Sequence, residues 1–258
     1  MTNFVIISFL CLIILILDFV KIFIREPAPE KIPDIGKSMT IGGREVQEDQ
    51  VGTMETKNGV MAALADGAGK EYGGRIAGRI AVDVCMDIFE DYNAFHNPQY
   101  YFRKAFRCAN SEILKALGDE NRGSASLGCV VFAAGYLYYA QVGNVKICVY
   151  REGNLIPVST GHTVAVLAEQ KFKEGTISRE DALALLQNKR LYNYLGQDAF
   201  QDIEIFDAPI KIRRGDIVAL MSDGVYDLIG VREIEAVLKQ ESDCQKMAYD
   251  IIELVNQH

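Results

Sequence analysis

Three apolar segments follow one another with almost nothing between them: residues 127–134, 136–142 and 146–150, separated around Ala134-Gly135 and Gly143-Asn144. Each is short, rich in β-branched and aromatic residues and bounded by turn formers, which predicts three consecutive strands. Segments 72–89 and 98–117 place apolar residues at helical spacing, as do 231–239 and 243–255 near the end of the chain. A further strand is expected over 59–65, and another closes at Met221. Runs of strands beside separate long helices predict α+β layering, not the βαβ alternation of a parallel sheet.

Two of the apolar runs end in an acidic turn, as Ala65-Asp66-Gly67 and Ser222-Asp223-Gly224. Such a run reads as a buried strand whose carboxylate emerges at the tip, where the chain turns. A lone Asp-Gly is usually only a turn. A third acidic segment, Gln47-Glu48-Asp49, lies a few residues after Arg44. Carboxylates gathered at strand ends repel one another unless a hard divalent cation sits among them, and oxygen-only ligation suits Mg²⁺ or Mn²⁺ better than Zn²⁺. Arg44 supplies a planar fork of donors suited to a phosphate dianion. Together these residues point to metal-assisted hydrolysis of a phosphate ester.

With these motifs in place the chain resembles the metal-dependent Ser/Thr protein phosphatases of type 2C (PPM type). The resemblance rests on Arg44 to Asp49, Asp66-Gly67-Ala68-Gly69-Lys70, Gly123-Ser124-Ala125-Ser126, Gly143-Asn144-Val145-Lys146, Leu195-Gly196 and Ser222-Asp223-Gly224-Val225. Each motif is weak alone; their order holds from about Ile35 onward. The resemblance implies two packed antiparallel β-sheets flanked by helices, an αββα sandwich with the active site at one end. It implies two Mn²⁺ or Mg²⁺ ions, with Asp66 bridging them, the Gly67 carbonyl as a further ligand, Asp223 on one ion, and Glu48 on the other with Asp49 in support. Arg44 would hold the substrate phosphate, and a metal-activated water would attack phosphorus in phosphoserine or phosphothreonine without a covalent phosphoenzyme. Phosphorylated proteins are the expected partners, with a Ser/Thr kinase at the same membrane.

Three positions depart from the pattern. Position 68, where some relatives place a candidate general acid, is Ala68, and Asn144 stands where relatives often have an Asp linked to a third metal. The sequence given stops at Asn256-Gln257-His258, before the Asp-Asn-x-Thr strand with which relatives end. A domain over 36–258 lacking that strand is expected to need more metal and to carry an unpaired sheet edge. The alternative function is a weak or inactive relative that binds phosphoproteins as a regulatory module.

The N-terminus carries a separate signal. Residues 4–24 are apolar except for Ser8, Asp18 and Lys21, a span of about 21 residues that is long enough to cross a bilayer of about 30 Å. No basic residue precedes the run and no small-x-small site follows it, which argues against a cleaved signal peptide. Lys21, Arg25, Lys31 and Lys37 all lie toward its C-terminal side, so a single-pass anchor over 1–25 is expected to leave the catalytic domain in the cytoplasm at the cell membrane. Pro27, Pro29 and Pro33 make 26–35 a stiff, extended linker.

Composition narrows the rest. A net charge of −8 argues against nucleic acid as partner. The cysteines past the anchor read as buried free thiols, and His96, His162 and His258 lack zinc-site spacing. Gly161-His162-Thr163 and the capped start at Ser178 resemble the family's surface flap beside the cleft, and a solvated helical hairpin with no catalytic part fits these residues equally well.

Overall fold

The structure is a computed structural model that describes residues 33–91, 96–118, 123–198, 200, 202–240 and 242–258. The expected anchor over 1–25 and most of the expected linker lie outside the described residues. Among the described residues, no helix is long and apolar enough to cross a membrane.

The strands are β1 (Gln50–Thr56), β2 (Gly59–Gly69), β3 (Gly123–Ala133), β4 (Tyr136–Val142), β5 (Lys146–Arg151), β6 (Asn154–Pro157), β7 (Glu204–Ile205), β8 (Ile210–Lys211) and β9 (Ile217–Met221). The helices are α1 (Gly73–Asp91), α2 (Pro98–Leu117), α3 (Val164–Lys173), α4 (Arg179–Leu185), α5 (Asp223–Tyr226), α6 (Val231–Leu238) and α7 (Cys244–Val255). Strands β1-β2-β3-β4-β7 form the large sheet, with β8 also on β4, and β6-β5-β9 form the small one. Every pairing between these strands is antiparallel.

The side-chain period of two explains how the sheets stack. Along β5, Ile147 and Val149 face a core shared with Val130 of β3 and Leu137 of β4, which is the seam between the sheets. Their neighbours Cys148 and Tyr150 face the other way, against Ile234 and Val237 of α6 and Met247 of α7. On the large sheet, Cys129 and Val131 pack outward against α1 and α2, among the fully buried Phe89, Tyr101, Phe102 and Phe106. Helix, sheet, sheet, helix is therefore the layer order, and both faces of each sheet are apolar because both are covered.

The α+β expectation holds, with local corrections. Segments 98–117 and 136–142 match α2 and β4 at both ends. β2 runs on through Asp66 and Gly67 to Gly69, because β3 keeps pairing with it as far as Gly123. Asp66 is thus a strand residue opposite Ser126, not a turn at a strand tip. Asp223 does lie at a tip, opening α5 directly after β9. Short edge pieces β6, β7 and β8 were too brief to carry a periodic signal.

Before β1, an extended segment straps onto α7. The Cys244 amide donates to Asp34 (2.7 Å), Lys37 exchanges two hydrogen bonds with the Gln245 side chain, and the Thr40 hydroxyl donates to Asn256 (2.8 Å). Gln47 then donates to the Thr40 carbonyl and accepts from the Asp49 amide, which aims the acidic pair before β1 begins.

Candidate active site

Register brings the acidic residues to one end of both sheets. Asp49 precedes Gln50, which pairs with Ala65 beside Asp66; Asp66 pairs with Ser126; Leu127 pairs with Val142, just before the Gly143-Asn144 turn. On the small sheet, Lys146 pairs with Met221, one residue before Ser222 and two before Asp223. Segments far apart in sequence therefore deliver Glu48, Asp49, Asp66 and Asp223 to the same rim.

Their electrostatics show how close they are. Burial, then the negative charges of Asp223 and Asp49, push the Asp66 carboxyl up to about 8, with Glu48 adding to the push and Arg44 opposing it. Burial also raises Asp49, against the Ser222 hydroxyl that donates to its Oδ2 at 2.8 Å and a hydrogen bond from Asp66. Asp223 Oδ2 accepts from Asn144 Nδ2 at 3.0 Å, and Glu48 Oε2 pairs with Arg44 at 3.4 Å. Arg44 is otherwise open to solvent, its side chain 68% exposed.

Close packing supports the acids from behind. Gly67 and Gly74 press β2 against the start of α1: a Cβ at Gly67 would collide with the Gly74 carbonyl, and one at Gly74 with Glu48 Oε1. Glu48 thereby sits against the N-terminal turn of a long helix, whose dipole favours an anion. Gly67 follows Asp66 in the buried strand, where it was expected to offer its carbonyl.

All five expected side chains, Arg44, Glu48, Asp49, Asp66 and Asp223, thus share one neighbourhood. Among the described residues, no three carboxylate, imidazole or thiol groups already converge on one point as a finished metal site. One oxygen each of Asp49, Asp223 and Glu48 is turned to Ser222, Asn144 and Arg44 instead. The donor set nevertheless fits a hard cation: it is all carboxylate, half-buried, and short of positive charge. The upward push on Asp66 reflects uncompensated negative charge at the rim, and a divalent cation would supply that compensation.

Sequence reading assigned no role to Ser126, Ser222 or Tyr226. Ser126 donates to Asn144 Oδ1 at 2.7 Å, and the Tyr226 hydroxyl donates to the Asn144 carbonyl at 2.7 Å under Lys146, whose ammonium lies 3.7 Å from the ring centroid. Hydroxyls flanking the acidic motifs, and an aromatic residue three positions after Asp223, were the available signals. His162 is buried: its Nδ1 accepts from the Gly143 amide at 3.1 Å and its own amide donates to the Gly143 carbonyl at 2.7 Å. It anchors the β4–β5 turn and lies at the root of the flap, where Thr163 caps α3 and Ser178 caps α4. Past the flap, Lys189 reaches Asp227 beside α5 at 2.7 Å.

Comparison with known proteins agrees with this geometry. Residues 35–256 match the family model described as Protein phosphatase 2C. The "Serine/threonine phosphatase stp" of Listeria monocytogenes is 25% identical over 222 residues, covering 83% of this chain and 86% of that protein. The serine/threonine phosphatase of S. agalactiae superposes with a TM-score of 0.71 at 22% identity, over 88% of this chain and 91% of that one. The catalytic domain of the phosphatase PstP, described in complex with 2 manganese ions, superposes with a TM-score of 0.63 at 21% identity, over 87% and 89% of the two chains. The chain belongs to the protein phosphatase 2C family and is a phosphoprotein phosphatase of that type.

Proposed function

We propose that this chain is a membrane-tethered phosphatase that removes phosphate from phosphoserine and phosphothreonine in proteins, using two Mn²⁺ or Mg²⁺ ions. The observation that carries the proposal is the meeting of Asp49, Asp66, Glu48 and Asp223 at one half-buried rim, where their charges and burial lift Asp66 to about 8. Asp66 and the Gly67 carbonyl would hold ions between the two sheets, Asp223 from the small sheet, Glu48 with Asp49 from the large one. Bound there, the cations supply a water of lowered pKa and neutralise charge on the phosphoryl group.

The remaining work falls to the chain's own groups. Arg44, exposed and in a 3.4 Å contact with Glu48, would turn its guanidinium onto the substrate phosphate. Ser222 and Asn144 keep Asp49 and Asp223 pointed at the rim. Ala68 is exposed and has no ionisable group, so the proton for the serine or threonine leaving oxygen would come from solvent or another residue. Tyr226 is an unsuitable donor, since burial and Asp223 push its phenol well above the usual range and its proton is committed to the Asn144 carbonyl.

The test is hydrolysis of a phosphothreonine peptide by the full chain in Mn²⁺, with and without a chelator. Turnover that disappears with the chelator and returns with Mn²⁺ or Mg²⁺ is expected; turnover indifferent to metal, or absent in every divalent metal, contradicts the reading.

The tether rests on the apolar run over 4–24 and the basic residues after it. A cytoplasmic catalytic domain at the cell membrane would meet proteins phosphorylated by a kinase at the same surface. Fractionation with membranes and protection of the C-terminal domain from protease outside intact cells are expected; release of a fragment cut near Arg25 contradicts the anchor.

A further inference from the structure

We propose that Asn144 is a positioning residue for Asp223: its side-chain amide locks one Asp223 oxygen and thereby turns the other toward the cations. The proposal rests on the metal-dependent reading above and goes beyond it by naming what sets the geometry of the small-sheet ligand.

The amide has only one orientation that satisfies its neighbours. Asn144 presents its NH₂ group to Asp223 Oδ2 at 3.0 Å, the carboxyl oxygen accepting. That leaves Oδ1 facing Ser126, whose hydroxyl donates to it at 2.7 Å while accepting from the Asn144 backbone amide at 3.3 Å. Both ends of the amide are therefore used, and Ser126 itself is 3% exposed and fixed in β3 opposite Asp66.

The turn that carries Asn144 is equally constrained. Gly143 has φ +85°, and a Cβ there would collide with Ser126 Oγ, so only glycine lets the turn approach the serine this closely. His162 holds Gly143 by two hydrogen bonds, and Tyr226, seated under Lys146, holds the Asn144 carbonyl. A side chain so firmly pinned imposes its direction on its partner. A carboxylate at position 144 could not do the same, because two acceptors at about 3 Å would need a proton or a cation between them. Asn144 thus links Asp223, just past β9 of the small sheet, to Ser126, which pairs with Asp66 in the large sheet.

The experiment is Mn²⁺ titration calorimetry on the full chain in detergent, comparing wild type with Asn144→Ala and with Ser126→Ala. Asn144→Ala is expected to weaken Mn²⁺ binding about tenfold, as loss of a hydrogen-bonding neighbour of a ligand does. At saturating Mn²⁺ its KM for an aryl phosphate should stay near wild type, because Arg44 is untouched. Ser126→Ala leaves Asn144 in place but frees its amide, and a smaller weakening is expected. It also serves as the decisive variant should Asn144→Ala not fold. Combining the two should cost no more than Asn144→Ala alone, since both act through one amide. Unchanged Mn²⁺ affinity in a folded Asn144→Ala or Ser126→Ala protein, or fully additive losses, overturns the proposal while leaving the metal site standing. A wild-type chain that takes up no Mn²⁺ overturns both.

Discussion

The two sheets hold their shares of the site by different means. Asp66 lies within β2 of the large sheet, paired with Ser126 of β3, on a strand whose Met61, Ala63 and Ala65 pack into the core that holds Phe89, Tyr101, Phe102 and Phe106. Asp223 follows β9, which among the described residues pairs only with β5, and four of the five β9 residues are half-buried. What β9 lacks in burial is supplied by hydrogen bonds across the join: Ser222 to Asp49 and Asn144 to Asp223. One half of the site is positioned by packing and the other by polar bonds, so damage to each half should read out differently.

The largest effect is expected at Asp66. Asp66→Ala should lower aryl phosphate turnover by about a thousandfold or more, since in the proposed site this carboxylate would serve both cations and several kcal/mol of charge stabilisation would go with them. Steady-state rates at saturating Mn²⁺ check this.

Core truncations separate the two halves more sharply. Phe102→Ala, which strips ring contacts to Phe106 and Phe206 under the large sheet, should cost about 3–5 kcal/mol in denaturant unfolding and leave Mn²⁺ affinity near wild type. Met221→Ala, beside Ser222 on the small sheet, should cost about 2–4 kcal/mol and weaken Mn²⁺ binding as well. Equal effects on metal binding from both would break the distinction.

A smaller loss is expected at the latch itself. Ser222→Ala removes a 2.8 Å hydrogen bond to a carboxylate and should cost about 1.5 kcal/mol of stability, read as a shift in the urea midpoint. The smallest effect belongs to Asp216, remote from the rim. Arg151 donates to it at 3.0 and 2.6 Å and holds its carboxyl below the ordinary range. With the folded value depressed below the unfolded value of about 3.9, this contribution is complete above that pH and lost as pH falls toward the folded value. Asp216→Asn should therefore flatten the acid limb of a stability–pH curve below about pH 4 and leave neutral-pH hydrolysis unchanged.

Much of this was legible in the sequence because the elements announce themselves locally. Helices such as α2 carry a full helical stripe with Asn97 and Pro98 at its start, and β4 is bracketed by turn glycines. Asp66 and Asp223 stood out by their Asp-Gly context, and Glu48-Asp49 by Arg44 a few residues before them. What could not be read was pairing. Asp66 looked like a turn residue because nothing local says that β3 continues beside it to Gly123. Likewise Ser222 and Asn144 acquire their roles only when register places them within hydrogen-bond distance of acids 173 and 79 positions away. Short strands such as β7 are held by partners and not by their own pattern.

The most direct test is Mn²⁺ titration calorimetry on the full chain in three forms: wild type, Asp66→Ala and Asp223→Asn. A single site built from both sheets predicts saturable Mn²⁺ binding in wild type, its near loss in Asp66→Ala, and weakened binding in Asp223→Asn, with phosphopeptide hydrolysis tracking metal occupancy. Wild-type affinity in Asp66→Ala, or hydrolysis that continues once the metal is stripped, would contradict it.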